Sequence, residues 1–179
     1  ILLLDEPTTG VDPVSRREFW DVLAALASEG MTIVVATPYL DEAERCNRIA
    51  LMYAGEIHEV GTLSQLRSNL GLQRLEVRTS DIPAMEAALL PLVGVNGIAD
   101  LQTFGDRLDV LVADAQSAAS IVRDALDRQS ISIASLQTTE ATLENVFVTR
   151  LRQQGSDPPF IPLPRSQSSQ APLDPSVQS

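Results

Sequence analysis

The feature that most constrains this chain is a pair of short, unbroken apolar runs with a helix-length stretch between them. ILLL fills residues 1–4 and TIVVAT residues 32–37. A strand that is apolar throughout, without alternation, is expected to be covered on both faces, as in parallel sheets with helices packed over them. Between the runs, Asp12-Pro13 pairs a helix N-cap with a first helical residue. Phe19, Trp20, Leu23 and Leu26 follow near one face, and Gly30 is the stop, so the helix is predicted to end near Glu29. Apolar strands separated by helices predict an α/β parallel sheet at the start of the chain.

The rhythm continues to about residue 72 and then changes. Residues 39–46 read as a short helix with Asp41, Glu42 and Glu44 in its early turns, where the helix dipole favours acids. Strands 48–53 and 56–60 flank Ala54-Gly55, a hairpin turn, and residues 62–70 form a closing helix. Beyond lie strand 75–79, helix 82–92, strands 97–103 and 108–113 around Gly105-Asp106, helix 115–128 and strand 131–136. That order is β-α-β-β-α-β, the ferredoxin-like arrangement. A last helix over 140–151 places Leu143, Val146, Phe147 and Leu151 at helical spacing. From Gly155 onward the chain is rich in Pro, Ser and Gln without a periodic apolar face, so residues 154–179 are expected to be a disordered tail or linker. Three zones result, 1–72, 73–153 and 154–179, and the first two are not repeats of each other.

Charge and composition exclude several classes. The formal net charge is -11, and all 13 basic residues are Arg. A nucleic-acid partner held by a basic patch is not expected. A single cysteine, Cys46, excludes an internal disulfide and any multi-cysteine metal site. No apolar run approaches the roughly 18 residues that cross a bilayer, and no signal peptide is recognisable. The chain opens inside an apolar strand without an initiating Met, which is the expectation for a fragment of something longer.

The chemistry concentrates where the first strand ends. Asp5 and Glu6 would be held rigidly at the carboxyl edge of a sheet, where ligands bind in open α/β folds. Asp5 suits Mg²⁺ held through water, and Glu6 suits a base that orients or deprotonates the water attacking a phosphoryl group. Taken alone, four apolar residues and Asp-Glu equally describe a strand ending in a solvated acidic turn. The following residues decide between these readings. ILLLDEP is similar to the Walker B strand and catalytic Glu of the nucleotide-binding subunit of ATP-binding cassette (ABC) transporters. TTGVDP resembles that family's D-loop, with Asp12 at its Asp position. TIVVAT and YLDEAERCNRIALMYAGEIHEVGT follow the same family's order to about residue 70. The second zone and TLENVFVTRL resemble, more weakly, the C-terminal extension of the drug- or polyketide-exporter branch.

The resemblance implies the C-terminal part of a P-loop NTPase domain, then a small ferredoxin-like α+β domain and a tail. It implies ATP and Mg²⁺ as cofactors. The implied partners are a second nucleotide-binding domain and a membrane-embedded transporter subunit, at the cytoplasmic face of the cell membrane. Asp12 would cap its helix before Pro13 and also touch the opposite subunit. Two departures matter. The phosphate-cradling GxxxxGK(S/T) loop is missing, and a chain without Lys cannot hide it. The glutamine loop and signature motif, N-terminal to Walker B in the family, are missing too, so the chain alone is expected to bind ATP poorly. Pro38, in VVATPYLDEAE, stands where the family usually has the His that contacts the terminal phosphate. Pro has no donor, so slow turnover or a mainly ATP-binding site is implied. Its plainer reading is a first helical residue with Thr37 as N-cap. His58 is expected to be a surface or packing residue and Cys46 buried helix filler.

Three functions therefore stand side by side. One is the ATPase subunit of an ABC exporter. Another is a degenerate, regulatory cassette of a tandem ATPase, joined through the Pro/Ser-rich tail. The third is a dimerising or small-molecule-sensing module in residues 73–153, which rests on fold analogy.

Overall fold

The structure is a computed structural model and describes residues 1–153. The expected disordered tail falls on residues 154–179, outside the described residues. Strand β1 (Leu2–Asp5) pairs in parallel with β2 (Ile33–Ala36), in the register Leu2 to Ile33 and Asp5 to Ala36. Helix α1 (Pro13–Ser28) makes the crossover. The expectation that these strands are buried on both faces is corrected: burial alternates along each. Leu2, Leu4, Ile33 and Val35 are half-buried, whereas Leu3 is 72% and Val34 55% exposed. One crossover helix lies on one face of a two-stranded sheet, and among the described residues nothing covers the other. Helix α1 accordingly buries only Trp20 and Leu23.

Helix α2 (Leu40–Ala43) is a single turn, shorter than predicted. Arg45 N and Cys46 N bond back three residues to the carbonyls of Glu42 and Ala43, so the chain tightens into turns rather than continuing. Tyr39 is its N-cap, which also corrects the placement of Thr37 as cap and Pro38 as first helical residue. Strands β3 (Ile49–Tyr53) and β4 (Glu56–Gly61) form the hairpin around Ala54 and Gly55. Both turn residues have positive φ, 51° and 82°, as a primed two-residue turn requires. Helix α3 (Leu63–Leu70) opens with a capping box between Thr62 and Gln65 and closes on left-handed Gly71.

The remaining elements are β5 (Gln73–Thr79), α4 (Ile82–Leu89) with a 3₁₀ turn at Leu90–Leu92, β6 (Ile98–Phe104) and β7 (Arg107–Val112). Then come α5 (Ala115–Arg128), β8 (Ile133–Thr139) and α6 (Leu143–Gln153). The four strands form one antiparallel sheet in the order β6-β7-β5-β8. Strand β8 starts later than expected because Ser130 turns at φ 55° and Ile131 N caps the Leu126 carbonyl at 3.0 Å. Helix α6 starts later too, because Thr142 and Asn145 cap it reciprocally: Thr142 N donates to Asn145 Oδ1 at 2.8 Å and Asn145 N to Thr142 Oγ1 at 3.2 Å.

Two apolar cores result. The larger lies between the four-stranded sheet and helices α4 and α5, with Leu75, Val77, Met85, Leu89, Val110 and Val122 fully buried. The smaller joins Ile49, Leu51, Leu66 and Leu70 to Ala141, Leu143 and Val146, so α6 packs back on the hairpin and α3. On the sheet face that α6 covers, Arg74 donates to Asp109 at 3.0 Å and to Thr139 at 2.7 Å. Asn145 donates to Asp109 and Gln102, and Gln102 to Thr149, all at 2.9 to 3.0 Å.

Candidate functional site

The carboxyl ends of β1 and β2 place four of the predicted residues, or their neighbours, along one edge. Asp5 ends β1 opposite Ala36. Glu6 continues the pairing by one bond, its N–H donating to the Ala36 carbonyl at 2.8 Å. The backbone then turns sharply: Glu6 sits at φ 44°, left-handed for a residue with a Cβ. That conformation costs on the order of 1–2 kcal/mol, and such strain persists where the surroundings over-determine it. The turn is closed by Thr9 N on the Glu6 carbonyl at 3.1 Å and by Thr9 Oγ1 on Glu6 Oε2 at 3.0 Å. Both Asp5 and Glu6 are exposed.

Asp12 lies at the end of that loop, exposed, as the N-cap of α1. Its Oδ1 accepts from Val14 N at 3.0 Å and Ser15 N at 3.1 Å. Bonds from the Ser15 hydroxyl and backbone hold its pKa below the ordinary carboxylate value. Pro38 is exposed between β2 and α2 and offers no donor. Its neighbours are engaged. Thr37 Oγ1 accepts from Tyr39 N at 3.1 Å and donates to Glu42 at 2.8 Å, while the Arg16 guanidinium stands 4.6 Å from the Tyr39 ring centre.

Glu42 is the residue that sequence reading missed. It was assigned to the helix dipole, yet it is 1% exposed and accepts from Thr8 across 34 positions at 2.7 Å. Arg16 Nε lies 3.4 Å from the same carboxylate. Cys46 is half-buried against the smaller core, and burial, then the Glu42 charge, pushes its thiol pKa up, so it is no ready nucleophile. His58 is exposed on β4, with Nε2 3.1 Å from the Tyr53 carbonyl.

Asp5 and Glu6 are hard oxygen donors open to solvent, the donor type that suits a largely hydrated Mg²⁺. Among the described residues no group of three or more acidic, His or Cys side chains is gathered as a closed metal cage. The chain has no Lys to meet nucleotide phosphates, so its residues fit the metal side of such a site and not the phosphate cradle. No described helix is long and apolar enough to cross a membrane.

The model of the C-terminal domain of DrrA1-3-like ATP-binding proteins matches residues 61–150. The chain belongs to the ATP-binding proteins of ABC transporters and is similar to those named for drug resistance. It is 36% identical over 151 residues to the daunorubicin resistance ATP-binding protein DrrA3 of Streptomyces coeruleorubidus, which covers 83% of this chain and 46% of that protein. It is 33% identical over 154 residues to the daunorubicin/doxorubicin resistance ATP-binding protein DrrA of Streptomyces peucetius, 83% and 45% respectively. Against the probable multidrug ABC transporter ATP-binding protein YbhF of Escherichia coli it is 43% identical over 93 residues, 52% and 15%. The chain thus spans just under half the length of its Streptomyces relatives.

Proposed function

We propose that this chain carries the Walker B edge, D-loop and switch region of an ABC exporter ATPase. The observation that supports it most is the parallel pairing of β1 with β2, which brings Asp5-Glu6 and Thr37-Pro38 to one carboxyl edge. Asp5 would hold a largely hydrated Mg²⁺, which when bound would supply charge neutralisation for the phosphates. Glu6, fixed by its turn and by Thr9, orients or deprotonates the attacking water. Asp12, presented at an exposed helix start, meets a second nucleotide-binding domain. The membrane-embedded partner and the place of work, the cytoplasmic face of the cell membrane, come with this reading. Residues 1–72 are the C-terminal portion of the ATPase domain. Residues 73–153 are a ferredoxin-like accessory domain, a reading supported by the strand order β6-β7-β5-β8 and the helices on one face.

Without a Lys-bearing phosphate loop the chain alone binds ATP weakly. At the switch position the engaged hydroxyl of Thr37 and Tyr39's packing on Arg16 leave nothing to replace an imidazole, which favours slow hydrolysis. The experiment is single-turnover ATP hydrolysis by the full-length protein that carries these residues. Glu6→Gln is expected to slow it by roughly 10²- to 10⁴-fold, and Pro38→His to speed it. A Glu6→Gln rate equal to wild type would overturn the catalytic assignment, and an unchanged Pro38→His rate the impaired switch.

A further inference from the structure

Sheet hydrogen bonds hold β1 to β2 only as far as Glu6 N on the Ala36 carbonyl, 2.8 Å. Past that point one segment turns into the loop of residues 7–12 and the other into residues 37–39. One side chain rejoins them. Glu42 Oε1 accepts from Thr8 Oγ1 at 2.7 Å, and Oε2 accepts from Thr37 Oγ1 at 2.8 Å. Arg16 of α1, 3.4 Å from Oε1, is the paired charge, and it also stacks on Tyr39. A carboxylate buried to 1% exposure is costly unless every oxygen is matched. Here each oxygen is matched by a different loop of the same edge. Thr8 stands two residues after Glu6 and four before Asp12, and Thr37 directly precedes Pro38.

We propose that Glu42 is a positioning residue for ATP hydrolysis, clamping the loop after Glu6 to the segment at Pro38 so that both meet the nucleotide in one fixed arrangement. The inference rests on the ATPase reading above. Where the switch segment has no imidazole to bridge toward the catalytic carboxylate, this clamp is the connection that remains. It acts through Thr8 and Thr37 and does not touch the reacting atoms.

The test uses the full-length protein with Glu42→Gln, Glu42→Ala, Thr8→Val and Thr37→Val. Removing the clamp lowers kcat on the order of 10- to 100-fold, as small misplacements do. KM for ATP stays within about twofold, because ground-state binding is untouched. Thr8→Ser, which keeps the hydroxyl that Thr8→Val removes, keeps kcat near the wild-type value. Amide exchange at residues 8–12 and at Thr37 and Tyr39 quickens in Glu42→Ala and stays unchanged across β5 to β8. A change in KM alone, or unaltered exchange in both loops, overturns the proposal. Should Glu42→Ala not fold, the two near-isosteric Thr→Val variants carry the same readouts. If wild-type protein hydrolyses no ATP, the ATPase reading fails, and loop exchange alone then decides whether Glu42 is a clamp.

Discussion

The β1–β2 edge and the four-stranded sheet solve opposite problems with the same chemistry. Around β5–β8 two helices close one face over a fully buried apolar core, and α6 closes part of the other, where its Asn145 meets Asp109 and Gln102 beside Arg74. At β1–β2 half of the apolar side chains face solvent, and the carboxylates at the strand ends are open. Each region nevertheless contains one buried carboxylate with several donors, Asp109 in the first and Glu42 in the second. The Asp109 network joins strands and a helix that already pack together. Glu42 joins two loops, 7–12 and 37–39, that the sheet hydrogen bonds leave apart. Buried charge under the four-stranded sheet therefore adds specificity to a formed core, whereas at the candidate site it substitutes for one.

The largest expected effect tests the closed half of that contrast. Asp109→Ala leaves Arg74, 8% exposed, with the more distant Glu76 carboxylate at 3.6 Å, and it strips Arg107 and Asn145 of the same acceptor. Breaking one side of such a pair costs about 3–5 kcal/mol, read as a fall in the urea midpoint. Leu3→Ala, at a position 72% exposed, should stay within about 0.5 kcal/mol. Comparable losses at both positions would mean that the β1–β2 sheet is covered in solution and that the comparison fails.

A middle-sized effect concerns the loop between catalytic candidate and helix. Asp12→Ala removes the cap bonds to Val14 and Ser15. The loss should lower Tm by about 2–4 °C. Asp12 has a folded pKa below its ordinary 3.8. Its contribution is therefore present above that value and disappears as pH falls through the lower folded value. The wild-type and Asp12→Ala melting curves should converge in acid. A pH-independent gap would show that the cap does not act through the ionised carboxylate.

What could be read from the residues follows range of interaction. The Asp12-Pro13 helix start, the Ala54-Gly55 turn and the β-α-β-β-α-β order all depend on neighbours within a few positions, and all are found. Unbroken apolar runs such as ILLL report which side chains avoid water, not whether anything covers them, so the exposed face of β1 was invisible. Arg74 lies outside the predicted strand 75–79 but inside β5, where Asp109, 35 positions away, is its partner. Glu42 and Glu44 read alike as dipole acids. One meets Thr8 in a catalytic-candidate loop, and the other accepts from Leu143 N, 99 positions on, at the start of α6. No local pattern separates them. The roles of Asp5, Glu6, Asp12 and Pro38 rest on motif order, to which the geometry adds their common edge.

The smallest effect probes where the two regions meet. Glu144, on the first turn of α6, is half-buried, and burial is the main cause of its raised pKa. The Arg107 charge opposes that rise, while Asp109, Asp41 and Glu44 add to it, so acids of both regions converge on one carboxyl. A carboxyl whose folded pKa lies above its ordinary 4.5 destabilises the fold when ionised. The penalty is present above the folded value and is relieved as pH falls through it toward 4.5. Glu144→Gln should thus raise Tm at pH 7.5 by on the order of 1 °C and leave it nearly unchanged at pH 4. A variant less stable than wild type at neutral pH would mean that attraction to Arg107 outweighs burial, and that α6 is held on the sheet by charge at its first turn rather than by its apolar side.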